Sequence, residues 1–166
     1  MNERRLAFVR TNERADAYIK FFESLNKRLK AVPAFPSRHV PPPKGASWQV
    51  LAFLNWIGRG QSASLFATFT RNKEMRIELY LDCGTKELNK QRFDELLTRK
   101  SEIESMVGEP LVWERRDENR ACRIAITTKA RIQADAENPA LLDWSTQKAV
   151  ALYKAFTPEF PSKDPT

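Results

Sequence analysis

Two carboxylates offer the first possible chemistry. Glu78 and Asp82 stand four residues apart in an alternating stretch, so both project from one face of a strand. With a third carboxylate they could hold a divalent metal, and in a basic chain that would suit metal-dependent nucleic-acid cleavage. A strand-borne nuclease site also needs an acidic residue and a lysine one apart on the next strand, and that second element is missing. Glu114 is a candidate third carboxylate with no Glu/Asp-x-Lys beside it. The competing arrangement, Glu78 paired across the sheet with Arg76 or Arg123, is the commoner use of such residues and is energetically modest. No catalytic residue, metal or cofactor is therefore expected, and Glu78 with Asp82 stands as the enzymatic alternative.

Other reactive residues lead no further. Gly58-Arg59-Gly60 is a GxG, but it joins two strands rather than opening a helix, so a phosphate there would lack the helix N-terminus. No G-x-S-x-G elbow occurs. The sole histidine, His39, lies in a proline-rich stretch without a carboxylate or cysteine neighbour. Cys83 and Cys122 fit no metal-ligand spacing and are expected as buried or half-buried free thiols in a reducing cytoplasm.

A surface is the stronger candidate. Arg76, Tyr80 and Arg123 should share one sheet face. Arg59, Arg71, Lys73, Arg115, Arg116 and Arg120 should lie in adjoining turns and strand ends. Arginine contacts phosphate bidentately and tyrosine offers a stacking platform, so these nine residues could meet DNA. They could equally meet an acidic protein or a second copy of the chain. Trp48, Trp56, Trp113 and Trp144, near element ends, favour the protein-interaction alternative if exposed.

The elements that must position these residues follow from periodicity. Ala15, Tyr18, Ile19, Phe22, Leu25, Leu29 and Val32 recur at helical spacing, with Thr11 as a candidate cap and Pro33 as the stop. Residues 33–47, with Pro41-Pro42-Pro43, read as a stiff connector. Trp48–Trp56 reads as a strand apolar on both faces, with Trp48, Val50, Ala52, Leu54 and Trp56 on one and Leu51 and Phe53 on the other. Ser62–Thr70 and Glu74–Leu81 alternate around an Arg71-Asn72-Lys73 hairpin. Asp82–Thr85 breaks the chain and caps a helix whose buried stripe is Phe93, Leu96, Leu97, Lys100, Ile103, Met106 and Val107, ended by Gly108. Two strands follow, Leu111–Arg115 and Arg120–Thr127. Residues 129–139 read as loop, and a last helix spans about 143–156.

The expected fold is therefore α+β, in the order α-βββ-α-ββ-α. An antiparallel sheet of about five strands forms one layer, with helices mainly on one face. The predicted parts are a basic helix over 1–32, a connector over 33–47, an α+β domain over 48–157 and a mobile tail over 158–166, one structural domain in all. The net charge is +7, and it is uneven: residues 1–44 hold ten Lys/Arg against four Asp/Glu, while residues 135–166 are net negative. Such a balance favours acidic partners. No apolar run approaches the length of a membrane span, and residues 1–10 lack the apolar core of a secretory signal, so a cytoplasmic protein without membrane contact is expected.

The stretches Arg76-Ile-Glu-Leu-Tyr-Leu-Asp82, Phe93-Asp-Glu-Leu-Leu97 with Lys100 and Ile103-Glu104, Gly108-Glu-Pro-Leu-Val-Trp113-Glu114 and Arg120-Ala-Cys-Arg-Ile124 carry a family resemblance. From Trp48 to Phe156 the chain resembles a bacterial and archaeal family, domain of unknown function 4268. Domains of this family often follow a PD-(D/E)xK nuclease-like domain. The resemblance therefore implies a non-catalytic accessory role in DNA-related, nuclease-related or phage-defence work, with no catalytic residues to carry over. No nuclease-like segment precedes the first helix here, so a stand-alone member or a piece of a longer protein is expected.

Overall fold

The computed structural model describes the backbone of residues 3–36, 45–57 and 61–157 and, within them, the side chains of residues 11–36, 45–54 and 63–157. The polyproline tract with His39, the turn carrying Arg59, the Trp56 side chain and the expected tail lie outside the described residues.

Helix α1 spans Glu3–Lys30. It begins well before Thr11, which lies inside it rather than capping it. No Gly or Pro interrupts residues 3–10, so nothing stops the helix from extending back. Its buried side is wider than the expected stripe, because Phe21 is fully buried beside Tyr18, Phe22, Leu25 and Leu29. Three α1 rings gather on Phe69, at centroid distances of 5.6 Å (Tyr18), 4.9 Å (Phe21) and 6.1 Å (Phe22). These contacts dock the first helix on the end of a strand. The last turn places Lys27, Arg28 and Lys30 at the negative end of the helix dipole.

Strands β1 (Trp48–Ile57), β2 (Gln61–Phe69) and β3 (Glu74–Asp82) form a meander. Helices α2 (Lys86–Leu97) and α3 (Lys100–Val107) follow. Then come β4 (Val112–Glu114), β5 (Cys122–Lys129), the single turn α4 (Ile132–Asp135) and α5 (Pro139–Phe156). The sheet order is β1-β2-β3-β5-β4, and every neighbouring pair is antiparallel. The α+β class, the strand number and the element order are those expected, but the second helical region is divided in two, the stretch 129–139 expected as loop holds the turn α4, and the last helix starts at Pro139, where Asn138 caps it.

The register fixes two faces. On one, Leu65 pairs with Leu79, Leu79 with Ile124 and Ile124 with Trp113, and helices cover this row. On the other, Phe66 pairs with Glu78 and Glu78 with Ala125, one residue out of phase. Strand β1 departs from simple alternation. Val50 partners Phe66 while Ala52 partners Leu65, so Leu51 is the extra residue of a bulge. The bulge moves Trp48 and Val50 to the open face and Ala52 and Leu54 to the covered one, correcting the single stripe expected for this strand.

The helical region after β3 differs as well. Thr85 caps α2 by accepting the Leu88 N–H at 3.2 Å, as expected. The helix ends at Leu97 with Thr98 as its C-cap and restarts at Lys100, so the apolar stripe does not continue in phase. Leu97 and Met106 are 41% and 49% exposed, and Lys100 is exposed rather than snorkelling. Ile103 and Val107 are buried from α3. Gly108 stops α3 with φ +85°, its N–H bonded to the Glu104 carbonyl at 2.8 Å.

Candidate functional site

The open sheet face is ordered in three rows that run across the strands. Trp48, Thr68, Arg76 and Thr127 form the first, Val50, Phe66, Glu78, Ala125 and Val112 the second, and Phe53, Ser64, Tyr80, Arg123 and Glu114 the third. A diagonal of rings crosses them. Trp48 lies 5.8 Å from Phe66, and Phe66 5.6 Å from Tyr80, centroid to centroid. Trp48 is 39% exposed and Val112 51% exposed at opposite ends of this face.

Arg76, Tyr80 and Arg123 do share the face, and the two arginines converge on Glu78. Glu78 Oε2 lies 2.5 Å from Arg76 Nε and 2.8 Å from Arg123 Nε. Arg123 Nη1 also donates to Glu114 Oε2 at 3.1 Å. The cation between the two carboxylates is thus the Arg123 guanidinium. Glu78 is only 4% exposed under these side chains and its aromatic neighbours. Burial pushes its carboxyl pKa up, and the two guanidiniums oppose that shift without cancelling it.

Asp82, the other carboxylate of the enzymatic alternative, is committed elsewhere. It pairs with Arg120, and its Oδ1 accepts from Asn89 Nδ2 at 3.3 Å. Glu78 and Asp82 therefore have separate sets of donors. Among the described residues no group of three or more His, Cys, Asp or Glu is placed to hold a metal ion.

The remaining candidates divide. Arg115 is clamped by Asp94, at 2.9 and 3.0 Å, and by Asp117, and these carboxylates raise its pKa further. Arg116 sits in the same loop with φ +56°. Arg71 and Lys73 occupy the β2–β3 turn, at the far end of β3 from Asp82, and both are exposed. Sequence reasoning thus placed Arg76, Tyr80 and Arg123 on a shared face, as found, without the acidic partners that Arg76, Arg115, Arg120 and Arg123 have.

It also missed the residues that fix the β4–β5 loop. Lys90, 7% exposed, donates from Nζ to the carbonyls of Arg115 (2.6 Å), Arg116 (2.9 Å) and Ala121 (3.3 Å). Beside it the fully buried Asn89 donates to the Arg120 carbonyl at 3.1 Å. The available signal was position: both lie on the same side of α2 as Phe93, one turn earlier, where a solvated residue has no place. Cys83 and Cys122 are buried free thiols as expected, and burial pushes both thiol pKa values up, away from nucleophilic use. Trp113 and Trp144 are partly buried against the core. Trp113 Nε1 donates to Glu104 Oε1 at 3.0 Å.

Among the described residues no helix is long and apolar enough to cross a membrane. No curated protein and no solved structure matches the chain. A family model does match, over residues 17–159, which takes in nearly all of the described fold from the buried part of α1 to the end of α5; the chain belongs to the family described as Domain of unknown function (DUF4268).

Proposed function

We propose that this chain is a non-catalytic, nucleic-acid-associated domain that uses its open sheet face, in the cytoplasm and in the nuclease- or phage-defence setting that the family resemblance suggested. The observation that carries the reading is the diagonal Trp48–Phe66–Tyr80, three rings on adjacent strands on the sheet face opposite the helix-covered row. Aromatic platforms of this kind take unpaired bases, because every base has a π face. Arg76 and Arg123 flank the rings, but Glu78 and Glu114 balance them. The face therefore suits base stacking better than phosphate capture, and phosphate contacts would come from turn residues such as Arg71 and Lys73.

Fluorescence anisotropy with labelled single-stranded and duplex DNA at two salt concentrations tests this. Single-stranded DNA should bind more tightly, and Trp48→Ala should weaken it by roughly 1–3 kcal/mol, the value of one stacked base. Absence of binding at low salt, or equal binding by Trp48→Ala, would overturn the proposal.

The exposure of Trp48 and Val112 on one face favours a second reading, association with a protein or a second copy. A dimer by light scattering that dissociates on Trp48→Ala, without any DNA binding, would support it.

A further inference from the structure

A cavity of about 600 Å³ opens between α1, the β2–β3 turn and the segment entering α4. Its walls include Arg14 from α1, Arg71 and Lys73 from the turn, and Arg131 before α4, and among the described residues no carboxylate lines it. Several arginines elsewhere on the molecule are matched to acids, as Arg28 is to Asp143, Arg115 to Asp94 and Arg120 to Asp82. Here four cations from three separate stretches of chain face one space. Like charges brought together cost free energy unless a counter-charge joins them.

The arrangement is held in place. The Ala130 N–H donates to the Lys73 carbonyl at 3.0 Å, which ties the turn to the segment carrying Arg131. Lys73 itself sits at φ +59°, and its N–H returns to the Thr70 carbonyl at 3.3 Å. Tyr18 packs on Phe69 at 5.6 Å, and Arg14 Nε donates to the Tyr18 hydroxyl at 3.2 Å, which fixes the α1 wall. Asp135 accepts the backbone N–H of Arg131 at 2.7 Å, bracing that wall.

We propose that this cavity is a binding site for a phosphate-bearing ligand, contacted by Arg14, Arg71, Lys73 and Arg131. Guanidinium forks match phosphate oxygens, and the planar fork loses less freedom for each hydrogen bond it forms than an ammonium on a flexible stem. The volume lies within the range of small-ligand sites and exceeds that of a bare phosphate, so part of the group bearing the phosphate enters too. The phosphate belongs either to a strand terminus or to a free nucleotide. This site does not depend on the aromatic face.

Calorimetry with inorganic pyrophosphate at low salt tests it. Wild type should bind, and the Arg71→Ala/Arg131→Ala double variant should bind at least about tenfold more weakly, a loss of roughly 1.4 kcal/mol. Trp48→Ala should bind pyrophosphate as wild type does, which separates this result from failure of the sheet-face reading. Lys73→Asn, compatible with a left-handed turn, provides a second variant if the first folds poorly. A preference for 5′-phosphorylated over unphosphorylated strands identifies a nucleic-acid end, and tighter binding of ATP identifies a nucleotide. No heat with pyrophosphate, or equal affinity in the double variant and in Lys73→Asn, overturns the proposal.

Discussion

Replacing Lys90 with methionine removes the ammonium that fastens the β4–β5 loop to α2. An ammonium has three donors, and here three backbone carbonyls, those of Arg115, Arg116 and Ala121, receive them. Methionine keeps much of the stem packing but takes this donor from the Arg115 and Ala121 carbonyls, while the Arg116 carbonyl still accepts the Asn119 N–H at 2.8 Å. Each buried carbonyl without a partner costs about 1–3 kcal/mol. Two terms reduce the total. Arg115 and Arg116 are only half-buried, so water recovers part of their loss. A largely buried charge also disappears, which returns some desolvation free energy. A net destabilisation of about 2–4 kcal/mol results, equivalent to roughly 2–4 °C of melting temperature per kcal/mol for a chain of this size. Urea unfolding at pH 7 measures it, with an unchanged m-value showing that the cooperative unit is the same. Lys100→Met, at an exposed position on the neighbouring helix, should stay within about 0.5 kcal/mol of wild type. A Lys90→Met loss below about 1 kcal/mol would mean that the loop holds itself without the ammonium, and the reasoning would be wrong.

Two further perturbations isolate other features. Burial raises the folded-state pKa of Glu78 above its usual value of 4.5, so its contribution is present at pH below 4.5 and is lost as pH rises through the folded value. Unfolding free energies measured between pH 4 and 8 should therefore fall with pH in wild type relative to Glu78→Gln; the opposite slope would show that Arg76 and Arg123 outweigh burial. Gly45 has φ +78°, and a Cβ added there would stand 2.6 Å from Ala15 Cβ of α1. Gly45→Ala should cost about 2–4 kcal/mol by combining overpacking with backbone strain. Gly108→Ala, with φ +85° and no atom within 4 Å of the added Cβ, should cost only about 1 kcal/mol. Equal losses in chemical denaturation would remove the helix contact from the explanation.

How far the sequence could be read depended on whether a residue's role was local. β3 alternates without interruption, so Met75, Ile77, Leu79 and Leu81 could be assigned to the core and Arg76, Glu78 and Tyr80 to the other face. Thr85 and Gly108 act on their own helices, and both were recognisable. β1 misled because a bulge is a property of a strand pair: Leu51 is an extra residue only relative to β2. Helix α2 misled for a different reason. Lysine at position 90 is ordinarily a solvated residue, and it becomes an interior one only because carbonyls from a loop 25 to 31 residues away surround it.

The same distinction governs the candidate interface. Positive charge is countable in a sequence, but its availability is set by partners that tertiary structure supplies. Arg76 and Arg123 are consumed by Glu78, Arg115 by Asp94 and Arg120 by Asp82, the last two pairs separated by 21 and 38 residues. Arg71 and Lys73 line a cavity with no carboxylate among the described residues, and they are joined there by Arg14 and Arg131, which no periodicity would have grouped with them. A basic chain thus distributes its charge into two kinds of surface. The sheet face is nearly charge-balanced and aromatic, suited to a planar apolar group. The end of the sheet concentrates cations without an acidic partner among the described residues, suited to an anion. A ligand that satisfied both would be a phosphate ester with an unpaired base, and the Trp48→Ala and Arg71→Ala/Arg131→Ala variants separate those two demands.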